Sequence, residues 1–462
     1  MKRQQKRPWI YLISSPVRLI PLSFLSAILV GTLLLWLPIS TASGQHTGPL
    51  TALFTATTSV CVTGLVVVDT AVHWSLFGKV VILALIQLGG LGVITVFSML
   101  MMLLGRKFSL SDRTLLSETF NLSTRRGMVR FMRQVVAGTF LIEGIGAALY
   151  LIRFIPRYGI LRGIWYAVFH AVSAFCNAGL DILGTNSLCG YAGDTFVLSV
   201  TMALIIAGGL GFVVWFDLFA SISVLLHPND LRRRGRLRLS EHTRLVLHLT
   251  AVMIVLGAVL IFFAERGNPE TIGSMPLGKA ILNSVFQSVT FRTAGFSTIP
   301  QESLTDISCL IGCIWMFVGG SPVGTAGGVK TVTVFIVVWN AICYIGRRRS
   351  TAIFHRRISE DMIRKAAAIV VVSLTTTVLL SAVLAVVSGA SMQDSFYEMF
   401  SALATVGLSR ALTPSLSAAA RLLVIVGMYL GRIGPISMAL FFANVRSTKQ
   451  RMEFAEGRFY VG

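Results

Sequence analysis

Long stretches without a charged side chain dominate this chain of 462 residues. A helix that crosses a bilayer needs roughly 20 mostly apolar residues, and several runs reach that length. Among them are 19–68, 80–105, 245–264, 307–329 and 366–393. Charged residues make up only 13% of the chain, against about 25% in an ordinary soluble domain. The sequence therefore predicts a polytopic membrane protein and excludes the soluble, fibrous and disordered classes.

The positive charge of the chain has a pattern that argues against nucleic acid as a partner. The formal net charge is +21, which in a soluble protein would suggest nucleic-acid binding. Instead, 29 of the 40 Lys and Arg residues fall in clusters between apolar stretches, at 2–18, 106–133, 232–244, 347–365 and 446–458. Cytoplasmic loops have this distribution. We expect a multi-pass protein of the cell (plasma) membrane with both termini cytoplasmic. The clusters suit an acidic protein partner or anionic membrane lipid, and both remain open.

A short polar segment that ends in glycine recurs in each of the four apolar blocks between the clusters. The segments read TTSVCVTGL (57–65), SAFCNAGL (173–180), SVTFRTAGF (288–296) and SALATVGL (401–408). Their glycines, Gly64, Gly179, Gly295 and Gly407, are 115, 116 and 112 residues apart. This regular spacing indicates an internal repeat.

A second glycine-rich mark follows each of these segments by 24 to 29 residues. It reads QLGGLG (87–92), AGGLGF (207–212), VGGSPVG (318–324) and LGRIGP (430–435). Only 18 residues separate Arg162 from Asp181, too few for a span followed by a loop. Non-helical backbone at membrane depth persists only where it is buried in protein or lines water, so the glycine segments are predicted to be re-entrant.

The predicted fold class is an all-α polytopic membrane protein with four fused helix–re-entrant pore loop–helix repeats around a central pseudo-four-fold pore. The predicted boundaries are 1–105 with a cytoplasmic N-terminal tail, 106–231, 232–346 with a broken helix at 319–328, and 347–462 with a C-terminal tail.

The glycine turns have the composition of a cation filter. Such a filter directs several backbone carbonyls at one axis in place of the ion's water, and glycine tolerates the dihedral angles required. A single membrane glycine is more often a packing residue, but four in register favour a pore. The last triplet, Thr405-Val406-Gly407, has the Thr-Val-Gly core of a potassium-channel filter. We expect potassium to bind at the four triplets, which are Val62, Thr63, Gly64, Asn177, Ala178, Gly179, Thr293, Ala294, Gly295, Thr405, Val406 and Gly407.

Arg432 stands in the second mark where the other repeats have Gly90, Gly209 and Gly320. A charge inside a membrane segment is costly and normally faces protein or water. We expect Arg432 to lie just inside the filter and to repel cations. The alternative is that it pairs with a buried carboxylate, Glu143 or Asp217, for folding.

The segment 319–328, GGSPVGTAGG, holds five glycines and a proline, which favours an irregular loop at mid-membrane. It also mimics a phosphate-binding loop. That motif requires glycine before the lysine, whereas Val329 precedes Lys330 and apolar runs flank the segment. Nucleotide binding by this chain is therefore not expected.

These motifs resemble the Trk, Ktr and HKT superfamily of potassium transporters, most closely the Ktr-type membrane subunit (KtrB-like). The resemblance covers nearly the whole chain, and its most specific marks are the four filter segments, VGGSPVGTAGGVKT at 318–331 and GRIGP at 431–435. It implies potassium uptake through a channel-like pore. Glycine at all four filter positions goes with potassium selectivity in this family, whereas sodium-preferring plant members have serine at the position of Gly64.

The resemblance also implies a gate and partners. The 319–328 loop would close beneath the filter, with gate residues Gly319, Gly320, Gly324, Gly327, Gly328, Lys330 and Arg432. Members are homodimers seated on a cytoplasmic ring of nucleotide-binding regulatory subunits (KtrA-like), so nucleotide would bind only the partner. Sodium often activates members of the family, and these residues leave that question open.

Two other classes of function are alternatives to a potassium pore. An intramembrane enzyme would need a nucleophile and base or a metal set, and no such constellation accompanies the repeats, so neither catalysis nor a catalytic residue is expected. A sodium- or proton-coupled secondary carrier with inverted repeats would alternate the orientation of its repeats, whereas the basic clusters recur at the same place. The carrier remains the alternative. Asp69 and Asp181 could attract cations to an outer mouth, or could be ordinary loop acids.

Overall fold

The computed structural model describes residues 16–93, 95–96, 128–184, 186–226, 239–348 and 350–434, and the structural statements below concern these residues. In chain order the helices are α1 (Pro16–Trp36), α2 (Pro49–Val60), α3 (Thr70–His73), α4 (Leu76–Leu91), α5 (Met128–Tyr158), α6 (Ile160–Cys176), α7 (Thr195–Leu210), α8 (Phe212–Leu226), α9 (Glu241–Glu265), α10 (Leu277–Thr290), α11 (Asp306–Phe317), α12 (Thr331–Ile345), α13 (Glu360–Ser388), α14 (Met392–Leu403), α15 (Leu412–Ser415) and α16 (Ala418–Ile433).

The first helix of each repeat is long and apolar. Helices α1, α5, α9 and α13 have both the length and the composition to cross a membrane. They expose large apolar side chains outward, for example Leu33, Phe140, Val255 and Val386. Such exposure suits helices whose solvent is lipid.

The second helix of each repeat is short and stops before the glycine turn. Helices α2, α6, α10 and α14 have 12 to 17 residues, too few for a full span. Many of the largest fully buried side chains belong to these helices or follow them directly: Phe54, Phe169, Phe175, Phe286, Phe291, Phe296 and Tyr397. The predicted re-entrant helices are therefore confirmed, and they form the centre of the protein.

The last helix of each repeat is interrupted at the second glycine mark. Gly92, Gly211 and Gly434 end helices α4, α7 and α16 with φ values of +85°, +89° and +91°. A residue with a Cβ rarely adopts this left-handed conformation. At Gly211 the chain bends by 102° between α7 and α8. In the third repeat the 319–328 loop separates α11 from α12.

A small hairpin between α12 and α13 adds two strands that the sequence did not predict. β1 (Ala352–Ile353) pairs antiparallel with β2 (Arg356–Arg357). The indole Nε1 of Trp339 donates a hydrogen bond to the carbonyl of Ala352 (3.0 Å), and this contact holds the hairpin on α12.

The repeat boundaries at 105/106 and 231/232, and the tails at 1–15 and 435–462, lie outside the described residues. The remaining boundary, at 346/347, comes directly after α12, which ends at Ile345. The boundaries and the sidedness of the termini stay predictions.

Candidate functional site

Gly64, Gly179, Gly295 and Gly407 converge on one cavity of about 350 Å³, which we call the mouth cavity. An added Cβ on each glycine would meet the carbonyl oxygen of the residue before the next glycine. The pairs are Gly64 with Ala178 (2.5 Å), Gly179 with Ala294 (2.7 Å), Gly295 with Val406 (2.5 Å), and Gly407 with Thr63. The last contact closes the circle, and we call the four residues the glycine ring.

The backbone of the four triplets has an unusual conformation. The ring glycines have φ values between +66° and +99°. The first residue of each triplet is also left-handed: Val62 (+55°), Asn177 (+58°), Thr293 (+69°) and Thr405 (+52°). A positive φ at β-branched residues is rare and costly, and such strain concentrates at functional sites.

Hydroxyl side chains near the end of each short helix hold the triplets in place. Thr58 and Ser401 accept hydrogen bonds from the backbone N–H groups of Gly64 (2.9 Å) and Gly407 (3.0 Å). In the other two repeats, Ser173 and Thr290 donate to the carbonyls that follow the glycines, at 2.6 Å each. These four residues were not among those predicted from the sequence. Their signal was a Ser or Thr five or six residues before each glycine.

Three buried hydroxyl groups of the triplets lack a hydrogen-bond partner among the described residues. They are the Oγ1 atoms of Thr63, Thr293 and Thr405. Buried polar atoms are normally paired. A cation that loses its water within the triplets would be a partner for these oxygens.

The mouth cavity is acidic. Asp69 and Asp181, the two loop acids noted in the sequence, line it together with Glu302, and no Lys or Arg is among its described lining residues. Burial and the nearby Asp69 carboxylate raise the pKa of Asp181 to about 7. Glu302 could not be predicted from the sequence, because no repeated motif marks its position.

Two arginines close to the triplets are directed elsewhere. Arg292, which precedes Thr293, is buried and donates from Nη2 to Thr250 on α9 (3.4 Å). Arg410, three residues after Gly407, pairs with Asp394 (2.8 Å). Neither guanidinium lines the mouth cavity.

The 319–328 loop packs against the triplets on the side away from the mouth cavity. An added Cβ on Gly327 would collide with Thr405 Oγ1 and lie 2.9 Å from the carbonyl of Ala404. The hydroxyl of Thr325 donates to the carbonyl of Phe175 at the end of α6 (3.0 Å). The backbone N–H of Ser321 donates to Gly209 (2.9 Å), which ties the loop to the broken helix of the second repeat.

The other predicted gate residues belong to this loop or follow it directly. The backbone N–H of Gly319 donates to the carbonyl of Val329 (2.9 Å). An added Cβ on Gly320 would collide with the Cβ of Ala326. An added Cβ on Gly324 would lie 2.8 Å from the carbonyl of Gly208. Gly328 has a φ of +66°, and Lys330 donates from Nζ to the carbonyl of Ala326 (2.6 Å).

Arg432 binds backbone carbonyls rather than a carboxylate. Its Nη1 donates to Thr325 in the loop (2.7 Å) and its Nη2 to Gly89 at the end of α4 (2.5 Å). Of the two acids proposed as partners, Glu143 bonds to Gln87 (3.2 Å) and Asp217 to Thr243 (2.6 Å). In the structure, Arg432 therefore forms an ion pair with neither Glu143 nor Asp217.

Comparison with known proteins agrees with this architecture. Residues 17–451 match the TrkH family model, described as a cation transport protein. The chain belongs to the TrkH family. This confirms the resemblance found in the sequence, and the family description names transport rather than an enzyme activity.

Relatives of this TrkH-family chain align over nearly their whole length. The Ktr system potassium uptake protein B of Bacillus subtilis is 35% identical over 97% of both chains. The potassium/sodium uptake protein NtpJ of Enterococcus hirae is 35% identical over 95% of both. The crystal structure of the potassium transporter TrkH from Vibrio parahaemolyticus has a TM-score of 0.72 at 15% identity, and the match covers 96% of this chain and 86% of that one. This likeness shows the shared fold.

Proposed function

We propose that this TrkH-family protein takes up potassium across the cell membrane through a channel-like pore in which the four glycine triplets form the selectivity filter. The observation that carries the proposal is the closed glycine ring, with each glycine packed against the carbonyl before the next. Residues that far apart in the chain meet in this way only where four equivalent segments surround one axis.

The triplets offer potassium the ligands that a filter requires. Backbone carbonyls can replace the hydration shell of the ion, and the free hydroxyls of Thr63, Thr293 and Thr405 add side-chain oxygens. Each triplet follows the C-terminal end of a short helix, where the helix dipole is negative and favours a cation. The acids of the mouth cavity attract cations to it.

The four glycines set the spacing of the filter. Any side chain in the ring would press on a neighbouring carbonyl, since even a Cβ on Gly64 would lie 2.5 Å from the oxygen of Ala178. A serine there would displace the carbonyls and change which ion they fit. We assign potassium as the transported ion and keep sodium as an activator to be tested. The relative NtpJ is named for uptake of both ions, so sodium uptake is measured as well.

The gate is the 319–328 loop together with Lys330 and Arg432. The loop lies directly against Thr405, so an ion that left the filter would meet it at once. Arg432 places a positive charge beside the loop and donates to it, which adds electrostatic repulsion to the steric block. The loop must move for potassium to pass.

Regulation is assigned to other subunits. Three of the relatives are named as parts of a Ktr system. We propose a homodimer with one pore in each protomer, seated on a cytoplasmic nucleotide-binding ring (KtrA-like). Exposed arginines of the hairpin region, Arg347, Arg348, Arg356 and Arg357, provide a basic surface for an acidic partner or membrane lipid. Both termini would lie on this cytoplasmic side.

The test is potassium and sodium uptake in cells that lack their own potassium importers, with the family's cytoplasmic partner co-expressed. Gly407→Ser is compared with Gly389→Ser. Both glycines have a left-handed φ, but nothing lies within 4 Å of a Cβ on Gly389. The control therefore carries the backbone strain without the crowding of the ring.

We expect wild type and Gly389→Ser to prefer potassium and Gly407→Ser to lose that preference. Potassium selectivity that survives in Gly407→Ser would exclude the ring as the filter. Absence of potassium uptake by the wild-type protein with its partner present would favour the coupled-carrier alternative.

A further inference from the structure

Glu143 is a buried acid that the proposed pore does not use. It lies in the middle of α5, the first helix of the second repeat, with only 4% of its surface exposed. An ionisable residue within a membrane span is costly and is generally retained for a function. A buried acid at this position therefore needs hydrogen-bond partners, and its presence calls for a functional explanation.

Both carboxyl oxygens of Glu143 accept hydrogen bonds from neighbouring elements. Gln87 on α4 donates from Nε2 to Oε2 (3.2 Å). The thiol of Cys176, the last residue of α6, is 3.7 Å from Oε1 and also 3.6 Å from Gln87 Oε1. The three side chains thus form a closed triangle between the first and second repeats. Among the described residues, no Lys or Arg forms an ion pair with Glu143.

The Cys176 side of this triangle adjoins the second triplet of the proposed filter. Cys176 directly precedes Asn177, the left-handed first residue of the second triplet. The sulfur also packs tightly on Gly90, where an added Cβ would lie 2.5 Å from Sγ. A shift of the thiol would therefore be transmitted to the backbone of the triplet.

The Gln87 side of the triangle adjoins the backbone that binds Arg432 of the proposed gate. Gln87 lies two residues before Gly89, whose carbonyl accepts the hydrogen bond from Nη2 of Arg432. Gln87 and Gly89 belong to the last turns of α4, so a change in the position of one changes the position of the other. The triangle therefore lies between the two functional parts of the pore.

We propose that Glu143 is a positioning residue that couples the gate to the filter, because it holds Gln87 with the Gly89 carbonyl on one side and Cys176 with the second triplet on the other. This inference rests on the proposed function of the glycine ring and Arg432. Glu143 does not contact the ion. It fixes the position of α4, whose Gly89 carbonyl binds Arg432, and of the end of α6, which directly precedes Asn177.

The chemistry of the triangle allows a direct test with two substitutions of similar size. In Glu143→Gln an amide oxygen can still accept a hydrogen bond, and Gln87 can turn its own amide to pair with the new one. In Glu143→Leu the Nε2 donor of Gln87 loses its partner, and the thiol of Cys176 keeps only the amide oxygen of Gln87 as an acceptor. A side chain that only filled space would be replaced equally well by either. Leu141→Ala on the same helix, at a position 60% exposed, is the matched control.

The experiment measures two quantities at equal amounts of protein in the membrane: the ratio of potassium to sodium uptake, and resting uptake without activating nucleotide. We expect Glu143→Leu to lower the ratio by about fivefold and to raise resting uptake by a similar factor. Glu143→Gln and Leu141→Ala should stay close to wild type in both. Wild-type values in Glu143→Leu, or equal effects of Leu and Gln, would overturn the proposal.

Combination with Arg432→Ala separates this inference from the proposed function. If Glu143 acts on the gate through the Gly89 carbonyl, Glu143→Leu should not raise resting uptake further once Arg432 is absent, while the loss of selectivity should persist. Additive increases in resting uptake would overturn the coupling. If Arg432→Ala alone leaves resting uptake unchanged, the proposed gate fails, whatever Glu143 does.

Cys176→Ala supplies a milder variant should Glu143→Leu fail to reach the membrane. It removes the weak hydrogen bond of the thiol and the contact of the sulfur with Gly90, so the uptake ratio should fall by about twofold. An unchanged ratio would overturn the branch from Glu143 to the filter.

Discussion

The guanidinium of Arg432 lies 2.7 Å from the carbonyl oxygen of Thr325, although 107 residues separate the two in the chain. A second hydrogen bond from the same side chain reaches Gly89. One residue of the fourth repeat therefore joins the loop of the third repeat to the broken helix of the first. Guanidinium offers several donors in one plane, which allows both contacts at once.

Replacement of Arg432 should raise resting potassium uptake. A hydrogen bond from a charged group contributes about 1.5–3 kcal/mol, so Arg432→Ala should increase resting uptake by about tenfold or more, and Arg432→Lys by less because a lysine retains the charge but not the planar fork. Arg421→Ala on the same helix is the control, since Arg421 bonds to Leu416 and Pro414 near the start of α16. Resting uptake that does not change in Arg432→Ala would contradict the gate.

Thr325→Val should loosen the loop without affecting its backbone contact to Arg432. The substitution preserves the shape of the side chain and removes the hydrogen bond to Phe175. A net loss of about 1 kcal/mol predicts roughly a fivefold rise in resting uptake. Thr376→Val removes a hydroxyl–carbonyl hydrogen bond within α13 and should have no effect. Equal uptake by the two variants would show that the loop does not depend on Phe175.

Potassium uptake at low concentration should depend on pH through Asp181. Because its pKa is raised to about 7, the carboxyl is charged above that pH and neutral below it. The attraction of the mouth cavity for cations therefore weakens as the pH falls through 7. Loss of one charge worth about 1 kcal/mol predicts that the potassium concentration for half-maximal uptake rises about fivefold in acid.

Asp181→Asn is the variant that identifies the titrating group. Its apparent affinity should be low and independent of pH in this range, whereas Glu270→Gln, an exposed loop acid outside the cavity, should behave like wild type. Asp69 and Glu302 also line the cavity, and Cys189 lies among them. A pH step that persists in Asp181→Asn would exclude Asp181 as the titrating group.

Glu398 should stabilise the segment that follows the fourth triplet. It is fully buried on α14 and accepts hydrogen bonds from Ser409 (2.6 Å) and from Thr413. Glu398→Leu leaves both hydroxyls without this partner, at about 1–3 kcal/mol each. The midpoint of thermal unfolding in detergent should fall by several degrees, whereas Glu360→Gln at an exposed ion pair should leave it unchanged. Equal midpoints for the two variants would contradict this role.

Repetition made the main features predictable. The glycine segments and the second marks recur at nearly constant spacing, so the four re-entrant helices, the ring and the place of Arg432 opposite three glycines could be derived from the chain alone. The hydroxyl residues Thr58, Ser173, Thr290 and Ser401 recur as well, but their role depends on which backbone group each one reaches. That depends on how each short helix ends, which spacing does not specify.

The sequence by itself determined the membrane class, the four-repeat architecture and the residues of the glycine ring, because hydrophobic length and internal repetition are local properties that survive in any conformation. Only the tertiary structure decided the partners of the single charges. Arg432 bonds to carbonyls of two other repeats and Glu143 to Gln87 and Cys176. These contacts join segments far apart in the chain, and only the packing of the helices brings them within hydrogen-bonding distance.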